Sequence, residues 1–185
     1  MIGRPRDDAA RTRILDAAIE LSTRDGYPAV TIKGIAEAAG VGRQTVYRWW
    51  NSRGAVLAEA LAEFGGGMVD PAMTDDPEAD LRTFLDATFT LAGRPPVADV
   101  LLGVTADSVA CAELRATLRE FIAVRRNALR TRLSRLGPWK VPLDTAVDLV
   151  YGSMWYRLIS AHAPVTRQLT DELMPVLDAL RATPG

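Results

Sequence analysis

Apolar residues in this chain recur at steps of three and four, and glycine or proline interrupts them at short intervals. That spacing is the period of a helix laid against a core, whereas a half-buried strand needs alternation with period two. Ile14, Ala18 and Leu21, with Leu15, form one such stripe, closed by Asp25-Gly26, a glycine where a helix C-terminus favours positive φ. Ile32, Ile35, Ala36 and Ala39 form a second, behind Thr31 as N-cap and ahead of Gly40 as stop. Short β-branched pieces such as Ala29-Val30-Thr31-Ile32 exist, but no run alternates for long and no Asn-Gly or Asp-Gly turn joins two such runs. The pattern predicts an all-α fold of about nine helices.

A third helix is predicted from Arg43 to about Trp50. A fourth, capped by Ser52, carries Val56, Leu57, Ala60, Leu61 and Phe64 and is expected to end at Gly65-Gly66-Gly67. Residues 65–76 then read as a joint between two parts. Asp76-Pro77, a cap followed by proline at the first helical position, opens a fifth helix with Leu81, Phe84, Leu85 and Thr88 on one face. Pro95-Pro96 precede a sixth at about 97–109, and a long seventh bearing Leu114, Leu118, Phe121, Leu129 and Leu133 stops at Gly137-Pro138. The eighth spans about 143–161. In the last, with Leu169, Leu173, Val176, Leu177 and Leu180, Pro175 either kinks the helix or delays its start.

Composition narrows the function. With 48% apolar and 24% charged residues in a chain of 185, a packed core under a solvated surface is expected. The longest stretch free of Asp, Glu, Lys and Arg, Leu158 to Thr166, is far short of the roughly 20 residues of a spanning helix. The first residues carry no apolar signal core, so no membrane partner and a cytoplasmic location are expected. Cys111 and His162 are the sole cysteine and histidine, which removes multi-thiolate zinc sites and most histidine-based catalytic schemes; no catalytic residue, metal or cofactor is predicted. Arginine outnumbers lysine 20 to two, the lysines being Lys33 and Lys140, and residues 1–53 carry net +3 against −4 for the rest. A polyanion-facing end, if present, is the N-terminal one.

The segment Thr31 to Trp50 holds two short helices joined by a tight glycine-containing turn, the helix-turn-helix layout whose second helix enters a DNA major groove. Val46 and Trp50 lie four apart on one face of that helix, where they can meet Ile14, Leu21 and Ile35. Arg43 with Tyr47, and Gln44 with Arg48, then point away from the core. These side chains suit a duplex: arginine pairs with guanine, glutamine with adenine, threonine meets a thymine methyl, and tyrosine reaches a phosphate. Thr31, Lys33 and Arg53 flank helix N-termini, whose free N–H groups favour phosphate. The plain alternative is an amphipathic helix with an ordinary solvated face.

Read together, Ile14-Leu15-Asp16-Ala17-Ala18, Gly26-Tyr27, Thr31-Ile32 with Ile35-Ala36, Ala39-Gly40-Val41, Val46-Tyr47-Arg48, and Ser52-Arg53 with Leu57 resemble the tetracycline-repressor (TetR) family of bacterial transcription regulators. The resemblance covers about Ile14 to Leu61; beyond it only length and helix count agree. It implies an all-helical homodimer with an N-terminal helix-turn-helix DNA-binding domain over residues 1–53 and a C-terminal helical ligand-binding and dimerisation domain over 54–185. It also implies a ligand-responsive regulator, a repressor on a palindromic operator of double-stranded DNA, released by a small-molecule inducer. Carried over by position, Arg43, Gln44, Thr45 and Arg48 face base edges, and Thr31, Tyr47, Trp49 and Arg53 face phosphates; Lys33 is added as a phosphate contact from its place at a helix N-terminus. The sequence departs from the family at Gly34, where an acidic residue commonly closes a capping box with Thr31, and at Gly42, Trp49 and Gly54. The basic arm with Arg4 and Arg6 either enters a minor groove or is a solvated tail.

In the C-terminal half Phe84, Phe121, Trp155 and Tyr156 are the residues proposed to line an inducer pocket, against the ordinary reading of such residues as core. Cys111 reads as a small buried apolar group, with redox sensing as the alternative. The eighth and ninth helices are apolar on more than one side. The resemblance implies that they build a four-helix bundle with a second subunit through Leu149, Gly152, Ser153, Val176 and Leu180, and the alternative is burial within one subunit.

Overall fold

The computed structural model describes residues 5–68 and 71–182, with side chains over 8–63 and 71–182. Among the described residues it contains nine α-helices, one 3₁₀ turn and an isolated bridge between Trp139 and Arg181. The helices are α1 (Pro5–Asp25), α2 (Ile32–Ala38), α3 (Arg43–Tyr47), α4 (Arg53–Met68), α5 (Pro77–Ala92), α6 (Pro95–Ala110), α7 (Ala112–Ser134), α8 (Leu143–Ser160) and α9 (Gln168–Ala179), with the 3₁₀ turn at Tyr27–Ala29.

Most predicted boundaries coincide with these, and the ends of α3 and α4 do not; the position of Pro175, left open by the sequence, is also settled. α3 ends at Tyr47 rather than near Trp50, because the amides of Trp49 and Trp50 both bond the Val46 carbonyl at 3.0 Å and tighten the last turn. α4 runs on through Gly65, Gly66 and Gly67 to Met68: glycine weakens a helix by about 1 kcal/mol per residue but is sterically free to adopt its dihedrals, so three in a row need not end it. Pro175 lies inside α9, seven residues after its start, so it does not delay the helix.

By packing, the chain forms two compact units. The first joins the described residues of Met1–Phe64 to Pro95–Phe121; the second joins those of Gly65–Arg94 to Ile122–Gly185. Compared with the sequence boundary after residue 53, α4 as far as Phe64, α6 and the first part of α7 thus group with the N-terminal helices. In the first unit α1 packs on α2, α2 on α3, and α6 on both α1 and the 3₁₀ turn. Ile14, Ala18, Ile35, Val46, Val56 and Leu57 are fully or almost fully buried there.

In the second unit α5 and α8 both pack on α9, over a core that includes Leu81, Phe84, Phe89, Leu133, Val150 and Leu169. The entry to α5 is fixed by a buried carboxylate: Asp80 accepts from the Thr74 amide and hydroxyl and from Arg135. Burial by itself would raise the Asp80 carboxyl, but the hydrogen bonds from Thr74 and Arg135 outweigh it and hold the group below the usual aspartate range. Arg132 is also buried; it donates to the carbonyls of Ala128 and Pro71 and lies over the Phe84 ring at 4.4 Å.

Candidate nucleic-acid interface

Two caps and one turn set the direction of α3. Thr31, extended at φ −131°, accepts the Gly34 amide at 3.0 Å and starts α2, so the cap works without the acidic partner that Gly34 replaces. Gly40 then turns the chain at φ +65°, where a side chain is strained, while the Val41 amide reaches back to the Ala36 carbonyl at 2.9 Å. Gly42 occupies the N-cap of α3 with extended dihedrals and supplies no side-chain bond.

With that direction fixed, the helical period sorts the side chains. Val46 is completely buried and Trp50 nearly so. Arg43, Gln44 and Arg48 are exposed, Thr45 is half-buried, and Tyr47 is 56% exposed although aromatic. The outer surface of α3 and its C-cap therefore presents two guanidiniums, an amide and a phenol. Trp49 is half-buried, edge-on to Trp50 at 5.6 Å, and carries the Arg48 guanidinium over its ring at 4.5 Å. Lys33 is exposed beside Glu37, with 3.8 Å between charges, a surface pair that leaves the ammonium accessible.

Other groups hold this surface without belonging to it, and sequence reasoning missed them. The Trp50 indole donates to Glu59 on α4 at 2.6 Å, and the other Glu59 oxygen takes Arg11 of α1. A buried indole N–H requires an acceptor, but nothing in the sequence says which of several carboxylates supplies it. Arg13 donates to the Ala39 carbonyl at the end of α2. Tyr27 donates to Asp107 of α6 at 2.7 Å across 80 residues. Burial, then the bond to Asp107, pushes the Tyr27 phenol far above its ordinary value, so it remains a donor. Arg53, expected at phosphates, directs its guanidinium to the backbone carbonyls of Tyr27, Pro28 and Val30 and to Asp107.

Residues 14–60 match the family model described as bacterial regulatory proteins, tetR family, and residues 71–177 match the one described as tetracyclin repressor-like, C-terminal domain. The chain belongs to the TetR family. It is a DNA-binding transcription regulator and not an enzyme. Among its TetR relatives is an uncharacterized HTH-type transcriptional regulator, YdeS of Bacillus subtilis, 29% identical over 162 residues, covering 85% of this chain and 82% of that one. The crystal structure of the TetR family regulator SCO0332 superposes with a TM-score of 0.79 at 26% identity, covering 94% of this chain and 99% of the other. FadR from Bacillus subtilis, in complex with stearoyl-CoA, gives 0.68 at 20% identity over 90% and 96% of the two chains, a likeness of fold.

The remaining candidate residues of this TetR chain scatter. Phe84 is buried in the second packing unit, while Phe121 is half-buried and belongs to the first. Trp155 is half-buried, but Tyr156 is 67% exposed with its ring 4.9 Å from His162. Seven residues, two turns, separate Tyr156 from Leu149, so it shares the outer face of α8 instead of facing inward. Leu149, Gly152 and Val176 are exposed, and Ser153 and Leu180 half-buried. Arg4 lies outside the described residues, and Arg6 falls in the first turn of α1. Cys111 is half-buried, and the exposed His162 contacts Ser160. Among the described residues no helix is long and apolar enough to cross a membrane, and no group of three or more His, Cys, Asp or Glu could hold a metal ion.

Proposed function

We propose that the protein acts as a homodimer that represses transcription from a palindromic operator and releases it on binding a small molecule. The observation that carries this reading is the division of residues 43–50, α3 and its exit: Val46 and Trp50 are buried, while Arg43, Gln44, Tyr47 and Arg48 face solvent. Arg43, Gln44, Thr45 and Arg48 read base edges; Thr31, Lys33, Tyr47 and Trp49 hold the backbone on either side. Two copies related by a twofold axis would place their α3 helices roughly 34–36 Å apart in successive major grooves.

The twofold partner is supported by the outer faces of α8 and α9. Leu149, Tyr156, Ile159 and Val176 are 41%, 67%, 68% and 47% exposed, and a side chain at Gly152 would meet nothing within 4 Å. So many large apolar groups on one face are unusual for a monomer surface. A repressive sign accords with the family model's description, and a small-molecule effector accords with the stearoyl-CoA held by FadR on the same fold. For release, the effector must favour the form that does not bind DNA, since equal affinity for both would shift nothing.

The test is selection of retained sequences from a randomised duplex pool, repeated across salt concentrations. An enriched inverted repeat is expected. Folded protein that enriches no sequence would remove the operator reading and favour a helical protein-interaction module.

A further inference from the structure

Arg53 is the first residue of α4, and its guanidinium turns to partners within the protein. Its Nη1 donates to the carbonyls of Pro28 at 2.9 Å, Val30 at 3.0 Å and Tyr27 at 3.5 Å, the stretch that leads into the N-cap of α2. Nη2 stands 3.6 Å from Asp107 Oδ2 on α6, and the guanidinium carbon lies 4.8 Å from the centre of the Tyr27 ring. The Tyr27 hydroxyl donates to the same Asp107 oxygen. α6 approaches closely because Gly103 lacks a side chain: a Cβ there would fall 2.2 Å from Tyr27 Cδ1. Carbonyl oxygens satisfy the donors of a guanidinium but do not balance its charge, and Asp107 supplies the counter-charge. A phosphate could take the Nη1 donors only by displacing these carbonyls, and on the Nη2 side the guanidinium already faces a carboxylate.

We infer that Arg53 is a positioning residue and not a phosphate ligand: with Tyr27 and Asp107 it ties the entry of α2 to the start of α4, so that α6, which does not carry the DNA-facing surface, takes part in aiming α3. The geometry works because α3 hangs between these two anchored ends, with the turn at Gly40 before it and residues 48–52 after it. Arginine suits the task and lysine does not. Three carbonyls and a carboxylate are spread over more directions than a single ammonium on a flexible stem can serve.

This inference rests on the DNA-binding reading of α3, and its test separates the two. Wild type, Arg53→Lys, Arg53→Ala and Asp107→Asn are each titrated with the selected operator and with random duplex over a range of salt, with thermal melts by circular dichroism alongside. For a positioning residue, Arg53→Lys and Arg53→Ala both lose operator affinity by about tenfold. Asp107→Asn loses it several-fold. Random-duplex affinity and the slope of log affinity against log salt stay at wild-type values in all three. A merely stabilising role lowers melting temperatures without separating operator from random duplex, and that result overturns the inference. It is also overturned if Arg53→Ala flattens the salt slope by about 0.9 on both duplexes while Arg53→Lys binds like wild type, since that is the signature of one lost phosphate contact. If Arg53→Ala does not fold at the assay temperature, Arg53→Lys and Asp107→Asn decide the matter. Wild type that selects no duplex overturns the DNA-binding reading itself.

Discussion

Arg43 and Val46 are three residues apart on one short helix, yet one faces solvent and the other is completely buried. Their substitutions should accordingly be read by different measurements. Arg43→Ala is expected to cost about 1–3 kcal/mol on the selected operator and to relax preference at one base pair, with little change in melting temperature. Val46→Ala should lower the melting temperature, with a loss of roughly 1–3 kcal/mol of stability from the cavity it leaves. If Arg43→Ala weakens random duplex as much as operator, its role as a base reader is lost. This in-and-out division was legible in the sequence because it follows from a period of 3.6 alone. The bonds from Tyr27 to Asp107 and from Trp50 to Glu59 were not: periodicity places a residue on a face of its own helix and carries no information on which distant helix meets that face. Arg53 shows the consequence, for its place at a helix start gave no sign of the carbonyl 25 residues back that its Nη1 meets or of the carboxylate 54 ahead that faces its Nη2.

At the scale of elements, glycine shows how one residue type can have opposite consequences. Gly42, the N-cap of α3, is open on its Cβ side and makes no side-chain cap, so Gly42→Ser should stabilise the protein by a few tenths of a kcal/mol, at about the difference between the two caps. Gly103 on α6 has the Tyr27 ring where its Cβ would lie, so Gly103→Ala should destabilise by about 1–3 kcal/mol through overpacking, read as a fall in melting temperature. Equal melting temperatures for wild type and Gly103→Ala would contradict the close approach of α6 to the 3₁₀ turn. The entry to α5 depends on pH through Asp80. Its carboxyl is held below the ordinary value of 3.8 in the folded protein, so the unfolded chain binds the proton more tightly, and the contribution of Asp80 is complete above that value and lost as pH falls through and below it. The melting-temperature gap between wild type and Asp80→Asn should therefore be widest near neutrality and narrow on acidification. A gap that is constant down to acid pH would mean that the charge of Asp80 is not what fixes the entry. Helix ends marked by a cap, such as Asp76-Pro77, were legible in the sequence, whereas the run of α4 through three glycines was not, because propensity sets a cost and leaves the outcome to the rest of the fold.

For the whole molecule, charge is unevenly divided along the sequence, net +3 through residue 53 and −4 after it, which is why the N-terminal end was expected to face a polyanion. The packing units were not, since α6 and the first part of α7 join the N-terminal helices from far along the chain, and only three-dimensional contact shows that. The same holds for the outer faces of α8 and α9. Apolar residues on more than one side of a helix are consistent with burial in one subunit or against a second, and exposure of Leu149, Tyr156, Ile159 and Val176 favours the second. In the proposed dimer this face would link assembly to recognition: one copy of α3 would touch one half-site, and affinity for an inverted repeat would depend on holding two copies at fixed spacing. Ile159→Asp, placed near the end of α8 and distant in sequence from α3, should convert a dimer into a monomer by analytical ultracentrifugation. A burial cost of this kind acts on the paired state and not on the fold of each chain, so its melting temperature should fall only by the part of stability that association contributes. Operator affinity should drop at least tenfold while binding to random duplex changes little. A wild type that sediments as a monomer at the concentrations where it selects an inverted repeat would refute the assignment of this face, and would require the two copies to meet on the DNA alone.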